Sequence, residues 1–342
     1  MAIRDAIARV TSGHDLSDAE MTAAVDEILS GSADVAAVAA LLVALRMKGE
    51  TVAELVSAAR VLRAHAVAVG GVPAGSIDTC GTGGDGARTV NVSTAAGLVV
   101  AACGVPVAKH GNRAVSGRVG GADVLEALGV RLELPPARLG ECLRTTGFAF
   151  LFAPSLHPAM RHAAAARRAV GVRTVFNLLG PLANPAGVRR QVIGVFDRRW
   201  VTPMAEALLA LGAERAWVVH GAGGLDELAL DGESVVAEVS GGRIRSLTVS
   251  AGAVGLAPAD AAALGVGSVA EAAACLRDVL AGERGPARDV VCLNAAAALV
   301  VAEAAPDLRS GVTQAAAALD RGAAADVLER VVRFTTQPGA GA

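Results

Sequence analysis

The chain has 342 residues, enough for two domains or for one large domain with a smaller companion, and enough to bury a sizeable core. Hydrophobic types make up 53% of it but aromatic types only 2%, with no Tyr, so Ala, Val and Leu must fill the core; this favours packed helices and parallel strands over an aromatic-rich β-sandwich. A formal charge of −2 supplies no broad basic field and argues against nucleic-acid binding.

The N-terminus, Met1-Ala2-Ile3-Arg4-Asp5, lacks the apolar core of a signal peptide. From Arg4 to about Val69 apolar residues recur at three- and four-residue spacing, with a helix cap in Ser17-Asp18-Ala19-Glu20, and a small helical domain is expected over residues 1–70. Residues 70–75 (Gly-Gly-Val-Pro-Ala-Gly) form a linker, and residues 76–80 read as a short strand. A glycine-rich turn follows, then Ser93 or Thr94 as the cap of an apolar helix over 95–103, then a second strand over 105–109. That β-loop-α-β order marks a parallel sheet. The apolar run 95–108 is broken by Gly97, Gly104 and Pro106 and is too short to span a bilayer, so a soluble cytoplasmic protein is expected.

Farther on, residues 161–170 read as a polar-faced helix and 177–185 as a loop with two prolines. Strands are expected at 191–196 and 216–220, with an antiparallel pair at 235–239 and 243–249 joined through Gly241-Gly242. Residues 290–304 and 311–333 read as Ala-rich helices, and the tail from Thr335 as frayed. Cys80, Cys103, Cys142, Cys275 and Cys292 contain no C-x-x-C pair and are expected as small hydrophobes in a reducing compartment.

The most informative segment is Asp78-Thr79-Cys80-Gly81-Thr82-Gly83-Gly84-Asp85-Gly86, continuing through Thr89, Asn91, Ser93 and Thr94. Clustered glycines let the backbone approach a ligand and turn its amides inward, and the following helix offers free N–H groups to an anion. The chemistry is phosphate binding. Gly81, Gly83 and Gly86 also satisfy the dinucleotide pattern, but that pattern needs an acidic residue about twenty positions on. Here the second strand delivers Lys109-His110-Gly111-Asn112-Arg113, whose two cations suit a polyphosphate instead. No Gly-Lys-Ser/Thr closes the loop as a nucleotide P-loop requires.

These motifs, with Ala122-Asp-Val-Leu-Glu-Ala-Leu-Gly129, Phe150-Leu-Phe-Ala-Pro154, His157-Pro-Ala-Met160, Arg173-Thr-Val-Phe-Asn-Leu-Leu-Gly-Pro-Leu182 and Gly224-Leu-Asp-Glu227, resemble the anthranilate phosphoribosyltransferase family. Leu45-Arg-Met-Lys-Gly-Glu-Thr51 and Leu293-Asn-Ala-Ala-Ala-Ala-Leu299 extend the resemblance over nearly the whole chain. It implies a small helical N-terminal domain beside a larger α/β domain with a mainly parallel central sheet, of the nucleoside phosphorylase/phosphoribosyltransferase type. The helical domain would be completed by a segment near 167–191, the α/β domain would hold 74–166 and 192–336, and 337–342 would be a flexible tail.

The resemblance also implies roles. Gly81, Gly84, Asp85, Thr89, Asn91, Ser93, Thr94, Lys109, Ser116 and Gly117 would surround phosphoribosyl pyrophosphate. Gly81, His110, Asn112, His157, Arg167 and Pro181 would receive anthranilate, with Arg168 and Arg173 as competitors for its carboxylate. Ser93, Asp226 and Glu227 would hold Mg²⁺, two ions per subunit, in a homodimer that binds neither nucleic acid nor membrane. No covalent nucleophile or strong general base is expected. Gly117 stands where the family usually has a second serine, which puts one side-chain contact in doubt. A pyrimidine-nucleoside phosphorylase and a non-catalytic nucleic-acid-binding relative are the competing readings.

Overall fold

A computed structural model describes residues 2–83, 89–114 and 119–337. It opens with four helices, α1 (Ala2–Thr11), α2 (Asp18–Leu29), α3 (Val35–Lys48) and α4 (Val52–Ala64). Ser17 begins α2 with a capping box, its hydroxyl accepting from Glu20 N (3.3 Å) while Glu20 accepts from Ser17 N (2.8 Å). Thr51 and Glu54 repeat the device on α4. Glu54 is fully buried, and it also accepts from Leu16 N (2.9 Å) and pairs with Lys48 Nζ (3.1 Å). The Lys48-Gly-Glu-Thr51 stretch is therefore a knot that ties the α1–α2 connection to the start of α4.

The chain then lays down β1 (Ile77–Gly81), α5 (Val92–Ala102), β2 (Val107–Gly111), α6 (Gly121–Ala127), α7 (Pro136–Thr146), β3 (Phe148–Phe152) and α8 (Ala153–Leu156). Next come α9 (Arg161–Val170), α10 (Phe176–Leu182), β4 (Arg190–Gly194), α11 (Val201–Ala210), β5 (Arg215–His220) and the hairpin β6 (Glu233–Ser240) and β7 (Arg243–Ser250). Four helices close the described chain: α12 (Val269–Leu280), α13 (Pro286–Val301), α14 (Leu308–Asp320) and α15 (Ala323–Thr336).

The seven strands form one sheet in the order β3-β2-β1-β4-β5-β6-β7, parallel from β3 through β5 and antiparallel at β6 and β7. Successive side chains alternate between its faces. Val192, Trp217, Val219 and Val236 join one core with α5 and α12 to α15. Ile193, Ala216, Val218 and Ala237 join another with α1 to α4 and α9 to α11, so the helical bundle continues beneath the sheet. The two tryptophans are divided between these cores, Trp217 in the first and Trp200 in the second. Strand order reverses between β1 and β4, and the carboxyl ends of strands on either side of such a reversal form a natural ligand crevice.

The mainly parallel sheet and helical start agree with the sequence expectation, and several elements differ. Residues 177–185 are not all loop, since Leu178, Leu179 and Leu182 bury into a helix whose proline sits in its last turn. The predicted helix over 311–333 is two helices, divided at Gly322 (φ 73°). Helix α5 begins at Val92, ahead of the expected Ser93 or Thr94 cap. Thr335 and Thr336 are helical rather than frayed, and Thr335 Oγ1 accepts from Arg131 N (3.2 Å). Residues 338–342 lie outside the described residues. Strand β3 escaped the reading because all five of its residues are buried and show no alternation.

Replacing Glu54 with Ala leaves the Leu16 and Thr51 amides and the Lys48 ammonium without their buried acceptor. Glu54→Ala is expected to cost about 3 kcal/mol, read as a lower denaturant midpoint at unchanged slope.

Candidate active site

Strand β1 is in register with β4 over five residue pairs, but with β2 only through Ile77 and Val107. Past that pair, side chains satisfy backbone groups that a continued ladder could have paired. Asp78 Oδ1 accepts from His110 N (3.0 Å), Asn184 Nδ2 donates to Ala108 O (2.9 Å), and Lys109 Nζ donates to Thr79 O. The sheet is thus opened along the β1–β2 seam at its carboxyl edge, beside the strand-order reversal.

Alternation along β2 then sends two neighbouring side chains to opposite faces. Lys109 turns towards α5, where it also donates to Ser93 Oγ (3.1 Å). His110 turns towards α10, where its Nδ1 bonds Gly180 O (3.1 Å). Two differently built groups of side chains share one strand end.

On the α5 side, the loop after β5 brings in Asp226 and Glu227. Glu227 Oε1 accepts from Ser93 N (3.1 Å), taking a free amide at the start of α5, where Asn91 makes no side-chain cap bond. Asp226 Oδ2 accepts from Gly83 N (2.7 Å). A side chain at Gly194 would overlap the Asp226 carbonyl oxygen, and one at Gly81 would come within 2.6 Å of Asp226 Oδ2. Asn294 of α13 fixes the next residue, accepting from Leu228 N (2.9 Å) and donating to Leu228 O (3.0 Å). Burial raises the Glu227 pKa, and the charge of Asp226 raises it further, with the Lys109 charge in opposition. Asn91 donates to Val119 O (3.1 Å), while its buried Oδ1 finds no partner among the described residues.

On the α10 side, the His110 and His157 rings lie 5.0 Å apart between centroids. His110 Nε2 and both nitrogens of His157 are buried without hydrogen-bond partners among the described residues. Burial, with repulsion from His157, pushes His110 down to about 3, and burial pushes His157 down to about 4. Arg167 on α9 lies 5.9 Å from the Phe176 ring, and burial lowers its pKa; among the described residues no carboxylate pairs with it. Arg173 instead covers Phe196 at 4.1 Å, and Arg168 is exposed.

The family model described as glycosyl transferase family, a/b domain, matches residues 74–325, and that of the family's helical bundle domain matches residues 4–66. The anthranilate phosphoribosyltransferase of Rhodospirillum rubrum is 52% identical over 336 residues, covering 98% of this chain and 96% of the relative. That of Rhodopseudomonas palustris (strain BisB5) is 50% identical, over 96% and 97%. The chain belongs to the anthranilate phosphoribosyltransferase family. The crystal structure of the Thermus thermophilus member matches with a TM-score of 0.92 at 47% identity, over 97% of this chain and all of that one. The Saccharomyces cerevisiae enzyme in complex with phosphoribosyl pyrophosphate and Mg matches with a TM-score of 0.90 at 25% identity, over 98% of each chain.

Measured against the family roles expected from sequence, Ser93, Lys109, Asp226 and Glu227 meet at the α5 end. Thr89 pairs with Gly265, and Thr94 is buried in the first turn of α5. His110 and His157 meet beside α10, whose last turn contains Pro181. Asn112 is exposed and accepts from Arg113 N (2.7 Å). Gly84, Asp85, Ser116 and Gly117 lie outside the described residues. Arg113 is not the free cation that its motif implied, for it forks onto Glu126 (2.7 and 3.0 Å) and reaches Asp123 (3.1 Å). Asp78, Asn184 and Asn294 were not singled out from sequence as site residues; the available signal for the first was an acid inside an otherwise buried strand.

Among the described residues no three His, Cys, Asp or Glu side chains gather as a metal cluster. Magnesium does not demand one, since it favours one or two carboxylates with waters and substrate phosphates. Two adjacent carboxylates, one buried and unfavourably charged, with a hydroxyl beside them, fit that ion.

The two imidazoles set a pH dependence. Below pH 6.5 the unfolded chain takes up protons that the folded chain refuses, so stability is full above pH 6.5 and falls as the pH drops towards about 4. Between pH 7 and about 4.5 the loss is expected to be on the order of 2–3 kcal/mol per histidine. Urea midpoints across this range should fall less steeply for His157→Gln than for the parent. Gly194→Ala is expected to lower the melting temperature at every pH, because its methyl has no room beside the Asp226 carbonyl.

Proposed function

We propose that the chain transfers the phosphoribosyl group of phosphoribosyl pyrophosphate to the amine of anthranilate, giving N-(5-phosphoribosyl)anthranilate and pyrophosphate in tryptophan biosynthesis. The observation that carries this is the division of Lys109 and His110 between two faces of one strand end. One face offers a cation, two carboxylates and a helix start, as a metal-bound polyphosphate requires. The other offers an apolar wall, neutral imidazoles and a guanidinium without a carboxylate partner among the described residues, as a flat aromatic anion requires. Support comes from the yeast relative, described with phosphoribosyl pyrophosphate and Mg and, separately, with 4-fluoroanthranilate.

In this reading Gly81, Gly84, Asp85, Thr89, Asn91, Ser93, Thr94, Lys109, Ser116 and Gly117 hold phosphoribosyl pyrophosphate. Ser93, Asp226 and Glu227 hold magnesium, two ions per subunit, and when bound the metal neutralises charge gathering on the departing pyrophosphate. Asn91 Oδ1, a buried acceptor, suits a ribose hydroxyl better than a phosphate oxygen. Arg167 takes the anthranilate carboxylate, a choice supported by the engagement of Arg173 with Phe196 and the exposure of Arg168. Gly81, Asn112, His157 and Pro181 line the same route.

The chain's contribution is alignment and charge placement. His110 Nε2 accepts a hydrogen bond from the anthranilate amine and turns the nitrogen lone pair towards the anomeric carbon. As the carbon–oxygen bond to pyrophosphate breaks, Lys109 stabilises the leaving oxygens and the amine closes on a cation-like centre. An imidazole held near pKa 3 is too weak a base to keep the proton, which passes to water after bonding.

The subunit is proposed to act as a cytoplasmic homodimer. The dimer is supported by large apolar side chains left in water on and beside the helical bundle, Met47 at 82% exposure with Val35 and Val172, and the reducing compartment by five unpaired cysteines. Among the described residues no helix is long and apolar enough to cross a membrane.

Loss of anthranilate fluorescence on mixing the protein with phosphoribosyl pyrophosphate and Mg²⁺ tests the reaction. The parent should consume anthranilate, and EDTA or Asp226→Asn/Glu227→Gln should abolish consumption; a folded parent that consumes none overturns the assignment. Arg167→Gln is expected to raise the anthranilate KM at least about tenfold while leaving that for phosphoribosyl pyrophosphate within about twofold.

A further inference from the structure

Asp78 has no part in the chemistry described so far, yet it is a fully buried carboxylate at the centre of the opened seam. Its two oxygens take different donors: Oδ1 the backbone amide of His110 (3.0 Å) and Oδ2 the side-chain amide of Asn184 (2.8 Å). Asn184 is itself spent, donating also to Ala108 O (2.9 Å) and accepting from Ala186 N (2.8 Å). One carboxylate thereby ties β1 to β2 and to the segment that follows α10. The last turn of α10 itself is held by Gln191, which donates to Pro181 O (3.0 Å).

The bond at the far end of His110 makes this tie matter. Gly180 O can only accept, so the His110 Nδ1 facing it carries the proton, and the neutral ring must then present Nε2 as a bare lone pair. That tautomer persists only while β2 and α10 keep their spacing, and the Asp78–Asn184 pair spans the two. A carboxylate suits the place because both of its partners donate. Exchanging it for a carboxamide would turn one NH₂ towards another N–H.

We propose that Asp78, acting with Asn184, is a positioning residue of the acceptor pocket: it holds the β1–β2 seam open and α10 in place so that His110 offers Nε2 as an acceptor to the incoming amine. The proposal rests on the reading of the His110, His157 and Arg167 face as the anthranilate pocket. It goes further in assigning control of that pocket to a residue that touches neither substrate.

Asp78→Asn separates positioning from bulk stability. The expected result is a rise in the anthranilate KM of about tenfold, the order of one charge-assisted hydrogen bond, with the phosphoribosyl pyrophosphate KM within about twofold. Nitrogen NMR of the ¹⁵N-histidine-labelled protein, with His110 identified by the signal missing from His110→Gln, reads the tautomer directly. The parent should show a single form protonated at Nδ1, and Asp78→Asn a mixture. A folded Asp78→Asn that keeps the single tautomer, or in which both KM values rise together, overturns the proposal. Should Asp78→Asn fail to fold, Asn184→Ala carries the same two measurements with the same outcomes. A parent without turnover, together with a tautomer that shifts in the variant, would remove the functional reading and leave the positioning role standing.

Discussion

Everything at this site depends on the two-residue period of a β-strand. Because successive side chains leave a strand on opposite sides, Thr79 and Lys109 are committed to the α5 face, and Asp78 and His110 to the α10 face. A one-residue slip of β2 would turn Lys109 to the α10 face and His110 to the α5 face. The register is correspondingly well secured, with five pairs between β2 and β3 and five between β1 and β4, while the seam between these halves is left for side chains to bridge.

Charge at the α5 end bears on the proposed phosphate site. Glu227 occupies an amide that a phosphate could otherwise use, and burial and the Asp226 charge oppose its ionisation while the Lys109 charge favours it. On the proposed reading, a divalent cation here would offset the carboxylates and suit the place to a polyphosphate. Metal and phosphate bound together there would favour each other's binding, as linkage requires of groups that share a site. The glycines at 81 and 194 make the arrangement possible, since the Asp226 loop lies against the strand ends where any side chain would stand.

Local signals were legible in the sequence and distant ones were not. The Ser17 capping box, the β6–β7 hairpin around Gly241-Gly242 and helix α9 are written in residues within a few positions of one another. The glycine loop and the Lys109 to Arg113 run pointed to the ends of β1 and β2 for the same reason. What escaped depends on remote partners. The carboxylate at the start of α5 comes from Glu227, and Arg113 is neutralised by acids ten and thirteen residues ahead that only the turn into α6 brings back. Glycine and proline at 180 and 181 read as loop, yet the segment is helical because their cost in a last turn is small beside the burial of three leucines.

The placement of the two tryptophans has a consequence for how this molecule can be watched. With no tyrosine in the chain, all emission excited near the red edge of protein absorbance comes from Trp200 and Trp217. Trp217 donates its Nε1–H to Glu238 (3.2 Å), whereas Trp200 Nε1 is buried without a partner among the described residues. The two indoles thus occupy unlike surroundings on opposite sides of the sheet. Replacing either with Phe leaves a single intrinsic fluorophore, so the melting of each layer can be followed by colour, without an attached dye.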